Sequence, residues 1–355
     1  MTLTNLENPL TLRCGTILPN RFAMAPLTNT QSNLDGILGD DEYNWLTARA
    51  GYFGLISTCA AFVSEEGHAW EGQLGISNDK HIPGLTKLAS AIKSSGSLVI
   101  VQLHHGGAKA DCAPQKISAS ASEDVNEATK EDIERIKNDY VQAALRAKEA
   151  GFSGVEIHGA NGYIFTQFLS PVLNKRSDEY GGSIENRVRF LRETLQSVKK
   201  AVPKSFMVNV RISPVDTFNR LGLILEDSKK VAQWLAEDGA DVIHLSLRNA
   251  RGKSPFEEST VPVVTAIREA VPKDVKIAVA GGIWTRKDAI ETEKAGADII
   301  VLGKASIIHH NWVEASKNPD FKPHLPPWDV DSLRKEKVGS NFINYLTYRH
   351  KLVEK

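Results

Sequence analysis

Residues 156–187 read EIHGANGYIFTQFLSPVLNKRSDEYGGSIENR. The stretch opens inside a short apolar run, Gly154-Val155-Glu156-Ile157, of the kind that forms a buried strand of a parallel sheet. His158, Asn161 and Tyr163 then follow one another closely. In a barrel of alternating strands and helices, residues just past a strand's C-terminal end face the ligand. A hydrogen-bonding pair and a phenol are thus delivered to one spot. The tail from Asp178 to Arg187 packs a double-glycine turn and charges ahead of a helical segment. Taken alone, His158 and Asn161 would serve equally well as caps of the next element, with Tyr163 packed in a core.

Working outward, β-rich apolar runs at 21–25, 54–60, 98–103, 155–158, 207–212, 242–245, 276–280 and 299–302 alternate with helical segments. Thr129 and Asp132 resemble a capping box, and Ile133, Ile136, Tyr140, Ala144 and Ala147 share one helical face that Gly151 closes. Gly239-Ala240-Asp241 and Gly296-Ala297-Asp298 repeat one helix-to-strand junction. Such βα units are best closed as a single (β/α)8 TIM barrel, with the catalytic face at the strand C-termini. An open doubly wound sheet is the runner-up, but it would want a G-x-G-x-x-G fingerprint that the sequence lacks. Outside the repeat, 10–12 and 17–18 predict an N-terminal hairpin plugging the barrel's lower end. Residues 111–128 read as a surface excursion, the proline-rich 321–328 as extended, and Phe342, Ile343, Tyr345, Leu346, Arg349 and Leu352 as a terminal helix. No boundary divides 1–355, so one domain is expected.

With 355 residues, 41% hydrophobic and 24% charged, the chain has room for a large core. Its 43 basic and 43 acidic residues cancel, which gives no electrostatic reason to expect nucleic acid or an anionic membrane as partner. Cys14, Cys59 and Cys112 are scattered and form no C-x-x-C, against a disulfide framework and against zinc or iron–sulfur ligation. No apolar run approaches ~20 residues, and the first residues lack a secretion signal's pattern. The expectation is a cytoplasmic enzyme acting on a small molecule, with homo-oligomerisation left open.

H-x-x-N-x-Y at 158–163 followed by Y-G-G-S-x-E-N-R at 180–187 resembles the old yellow enzyme family of flavin-dependent ene-reductases. The resemblance runs from about Arg13 to the terminal helix. It implies an FMN-binding TIM barrel reduced by NADH or NADPH, which then reduces an activated alkene. By the same resemblance Pro26, Leu27 and Thr28 lie under the flavin ring, with Thr28 at its O4/N5 edge. The backbone at Ala60 and the Gln102 amide meet the pyrimidine edge, and Arg211 stabilises the reduced ring near N1. Gly282, Gly303 and Lys304 form the phosphate cradle, in keeping with the barrel's usual phosphate site after its last two strands.

Each of these has a plainer reading. A threonine ending a strand is common, and Cys59 beside Ala60 reads as a buried core thiol. His104 and His105 are adjacent on a strand and point to opposite faces, a poor chelate. Arg211 in an apolar run could instead form an internal salt bridge. Two positions depart from the family: Ala108 where relatives have arginine, leaving Lys109 as the nearest cation, and Lys304 where they also have arginine.

The implied mechanism has His158 and Asn161 donating to a substrate carbonyl or nitro oxygen, hydride passing from flavin N5 to the β-carbon, and Tyr163 protonating the α-carbon. Alternatives are an FMN barrel acting on a quinone, nitro compound or flavin, and a dihydrouridine-type reductase of transfer RNA, which neutral charge opposes. A longer iron–sulfur relative would want clustered cysteines. An aldolase would want a Schiff-base lysine at a strand end, where only Lys304 stands.

Overall fold

The computed structural model describes residues 4–216, 221–255 and 261–354. Parallel strands close into an eight-stranded barrel. In chain order they are Phe22–Met24, Leu55–Phe62, Leu98–His104, Gly154–Gly159, Met207–Ile212, Val242–Ser246, Lys276–Ala280 and Ile299–Leu302. The eighth pairs with the first through Ile300↔Phe22, Val301↔Ala23 and Leu302↔Met24, which completes the ring. The expected (β/α)8 architecture is therefore present. Its strands are buried and mostly apolar because both faces are covered, by helices outside and by side chains within, and the exceptions include Gln102, Glu156, Arg211 and His244.

The interior cluster explains the hairpin. Leu10–Thr11 pairs antiparallel with Ile17–Leu18, and Leu10, Leu12 and Leu18 pack against Leu55, Met207, Val242 and Ile299. Those four open their strands, so the hairpin seals the barrel at the strand N-termini. Burying three leucines there contributes about 1.5–3 kcal/mol each.

The repeated junctions are clamps. Gly239 and Gly296, at φ +111° and +115°, lie just beyond helices Leu225–Glu237 and Arg286–Lys294. The Asp241 carboxylate then accepts the Val208 N–H at 2.8 Å, and Asp298 accepts the Ile277 N–H at 2.9 Å. Each strand is thus fastened to its predecessor, and each aspartate also meets a cation, Lys199 or Arg268, at 3.0 Å.

The Y-G-G-S-x-E-N-R segment is architectural. Arg187 donates to the carbonyls of Gly182 at 3.1 Å and of Leu169, and to Asp227 at 2.9 Å. Asn186 Nδ2 donates to Gly181 O at 3.1 Å, while Ser183 caps helix Ile184–Ala201. A side chain at Gly181 would place Cβ 2.1 Å from Arg176 O, so only glycine fits. The segment fastens the connection that follows the fourth strand.

The excursion after the third strand carries a small sheet, Lys116–Ser118 with Val125–Glu127. Residues 321–328 hold no helix, and helix Ser340–Tyr348 packs back on the barrel through buried Phe342, Ile343 and Leu346. Among the described residues no helix is long and apolar enough to cross a membrane.

Candidate active site

Past Gly159 the chain turns left-handed twice, at Asn161 (φ +62°) and Gly162 (φ +81°). Asparagine is one of the few side chains that tolerate this region. The turn brings the Asn161 N–H to Ser213 Oγ at 3.0 Å. Tyr163 sits at the start of helix Ile164–Leu169, yet no side chain caps that helix. The capping reading of His158 and Asn161 therefore fails.

Their polar atoms are fixed by other partners. His158 Nδ1 accepts the Ala160 N–H at 3.3 Å, so a neutral ring carries its hydrogen on Nε2. Burial, with His104 and Arg211 adding to it, holds this imidazole well below its ordinary pKa and keeps it neutral. Asn161 is set by a relay. Arg211 Nη2 donates to Ser246 Oγ at 3.0 Å, and Ser246 passes its own hydrogen to Asn161 Oδ1 at 3.1 Å. With its oxygen taken, the amide presents Nδ2 as a donor that has no partner among the described residues.

Tyr163 stands edge-on to His104, with ring centroids 4.3 Å apart, and 5.2 Å from His158. Burial pushes its phenol up to about 12, assisted by Tyr345 and opposed by Arg211 and Arg349. Lys109 Nζ lies 5.2 Å from the Tyr163 ring centroid and donates to Asn161 O at 3.2 Å. With alanine at 108, the neighbouring cation is spent on holding this turn. The two histidines diverge as strand alternation requires: His104 Nδ1 meets Gln73 Nε2 at 3.1 Å, whereas His105 Nε2 faces Glu66 at 3.4 Å.

Beside the donor pair a cleft of about 260 Å³ is lined by Pro26, Leu27, Thr28, Asn161, Arg211 and Lys304, and closed by Phe342, Tyr345, Leu346 and Leu352 of the terminal segment. Gln102, Ala60, Gly282 and Gly303 do not line it: Ala60 and Gln102 lie two residues before the ends of the second and third strands, and Gly282 and Gly303 follow the seventh and eighth. Gln102 donates through Nε2 to Glu156 at 2.7 Å, the Ala60 carbonyl accepts from Gln73 at 3.0 Å, and Cys59 is a buried thiol. Three contributors were missed in the sequence. Tyr345 hydrogen-bonds the Thr28 side chain, Ser246 forms the relay, and Gln167 bridges the turns after the third and fourth strands by taking the Ala108 N–H and donating to Gly162 O, both at 3.0 Å.

These surroundings suit an FMN ring and phosphate. Among the described residues Arg211 makes no salt bridge within 4 Å and its buried Nε has no partner; burial, opposed by Glu156, pulls its guanidinium down. A Cβ at Gly303 would meet nothing closer than Leu27 Cδ2 at 3.9 Å, leaving open space beside the Lys304 cation.

The family model described as NADH:flavin oxidoreductase / NADH oxidase matches residues 5–319. The chain belongs to this family. It is an FMN-dependent oxidoreductase of the old yellow enzyme type that uses NADH or NADPH. Among curated relatives of this flavin oxidoreductase is the probable NADH-dependent flavin oxidoreductase YqiG of Bacillus subtilis (strain 168), 34% identical over 321 residues, or 86% of each chain. The NADH:acrylate oxidoreductase of Vibrio harveyi is 36% identical over 338 residues; these are 90% of this chain but only 34% of that longer protein. In fold, the old yellow enzyme homologue of Zymomonas mobilis superposes with a TM-score of 0.80 over 93% of this chain and 96% of its own, at 24% identity.

Proposed function

We propose that this oxidoreductase reduces C=C bonds conjugated to a carbonyl or nitro group. One observation carries the reading: His158 Nε2–H and Asn161 Nδ2–H are both left as donors by partners that fix their other ends. Two fixed donors suit an oxygen that gains negative charge as the double bond is reduced. Acrylate, in the name of the Vibrio harveyi relative, is an alkene of this conjugated kind, which supports the class.

When bound, FMN supplies the hydride. Pro26, Leu27 and Thr28 would support its ring, with the backbone at Ala60, Gln102 and Arg211 along its polar edge and Gly282, Gly303 and Lys304 about its phosphate. His158 and Asn161 orient the substrate by its oxygen, polarise the double bond and stabilise the enolate. Tyr163 then delivers a proton to the α-carbon. A phenol near 12 is a workable acid because a carbanion is a far stronger base. Lys109 holds the turn that carries both.

Anaerobic reduction by NADH or NADPH, followed by mixing with cyclohexenone, a nitroalkene and acrylate, tests the reading. Flavin reoxidation with stoichiometric saturated product is expected. Reoxidation by quinones or oxygen alone would point to a different acceptor.

A further inference from the structure

The motif that delivers His158 also delivers a carboxylate that this chemistry leaves unused. Glu156 precedes His158 by two residues on the fourth strand, so both face the barrel interior. Its side chain is 2% exposed. Oε1 accepts from Gln102 Nε2 at 2.7 Å, and Oε2 faces His244 Nδ1, on the sixth strand, at 2.8 Å. The fifth strand lies between them and supplies Arg211, which is in register with His158 on one side and His244 on the other.

Burial pushes the Glu156 carboxyl up, but His244, Arg211 and Gln102 together outweigh it and hold the group below its ordinary value. Burial pulls the His244 imidazole down. Both directions describe one state, an ionised carboxylate accepting from a neutral imidazole. That state has two consequences. An ionised carboxylate only accepts, so Gln102 must turn its NH2 toward Glu156 and cannot flip its amide. Arg211 sends Nη2 to Ser246 and not to Glu156, so the two charges act on each other across space without a direct bond.

We propose that Glu156 is a positioning residue for the flavin: it locks the Gln102 amide in one orientation and sets a permanent negative charge against Arg211, lowering the potential of bound FMN. The inference rests on the reading above that Gln102 and Arg211 border the ring. A negative charge in a dry interior disfavours the electron-rich reduced ring, and Arg211 favours it. Glu156 therefore moderates what Arg211 would do alone. It also explains a charged residue inside a strand otherwise suited to apolar side chains, since a buried carboxylate is tolerated only with partners on both oxygens.

The experiment measures the midpoint potential of bound FMN by anaerobic spectroelectrochemistry, with FMN affinity measured alongside. Glu156→Gln removes the charge and keeps the shape, so its potential should move to more positive values with FMN still bound. Glu156→Asp keeps the charge but shortens the reach, so its potential should stay near the parent's while FMN binding weakens. An unchanged potential in Glu156→Gln overturns the proposal, and so does a positive shift in Glu156→Asp as large as in Glu156→Gln, which would mark a packing effect. Should Glu156→Gln fail to fold, the Glu156→Asp potential decides alone: unchanged supports the assignment, displaced upward sinks it. Gln102→Leu separates the two levels of argument. If it leaves FMN affinity unchanged, the placement of the ring falls and this inference with it; if it weakens FMN while Glu156→Gln leaves the potential unmoved, only the inference fails.

Discussion

Arg49 donates through Nε to Ser306 O at 2.8 Å, through Nη1 to Trp45 O at 2.6 Å and through Nη2 to Ile307 O at 2.8 Å, with Glu336 O adding two longer bonds at 3.2 Å. Arg211, also buried though slightly less deeply, bonds Ser246 and leaves Nε without a partner among the described residues. Burial pulls both guanidinium groups down, Arg49 to about 9. Only Arg49 has its donors taken up by carbonyls of the fold. Ser306 and Ile307 belong to helix Lys304–Ile308 after the eighth strand, so Arg49 bolts the candidate phosphate end in place. A buried cation saturated by its own chain is architecture, and one left short of partners at a strand's C-terminal end marks a site.

The sharpest way to break this division lies beside Arg211. Tyr163→Phe should slow reoxidation by an enone by roughly 10²–10⁴-fold, the usual worth of a general acid, and leave flavin reduction intact. A nitroalkene should lose less, because its nitronate is stable unprotonated. Stopped-flow measurement of both half-reactions decides; slowed flavin reduction with enone turnover spared would remove Tyr163 from the acid's role.

On the architectural side, Arg49→Met should cost about 3 kcal/mol of stability by stranding buried carbonyls, with FMN per folded chain near normal. Arg211→Met should do the reverse, leaving the apo-protein within about 1 kcal/mol of the parent while FMN binding falls. Denaturant melts with and without FMN compare the pair, and equal stability losses would erase the distinction. A smaller effect is expected for His158→Ala combined with Asn161→Ala: about tenfold weaker binding of phenol-type ligands, from two lost hydrogen bonds, with FMN content unchanged. Loss of flavin at unchanged ligand affinity would reassign the pair. Least of all should pH matter. His158 is neutral well below its ordinary value and Tyr163 stays protonated to about 12. Reoxidation by a neutral enone should thus be flat from about pH 7 to about pH 10, and a steep slope inside that window would reveal another titrating group.

The barrel was legible because parallel strands covered on both faces are mostly apolar, and such runs recur along the chain between helical segments. His158, Asn161 and Tyr163 were legible because one turn carries all three. What fixes their orientation was not. The Ser246–Asn161 bond joins residues 85 apart in sequence, and the His244–Glu156 contact joins residues 88 apart; neither leaves a local pattern. Tyr345 reads in the sequence only as part of a terminal helix, and only its docking shows that it meets Thr28.

The cleft joins Pro26 and Leu27 at one end of the chain to Leu346 and Leu352 near the other. During synthesis the barrel's first strands emerge long before the segment that closes the pocket over them. The cleft is therefore among the last features of the molecule to be completed.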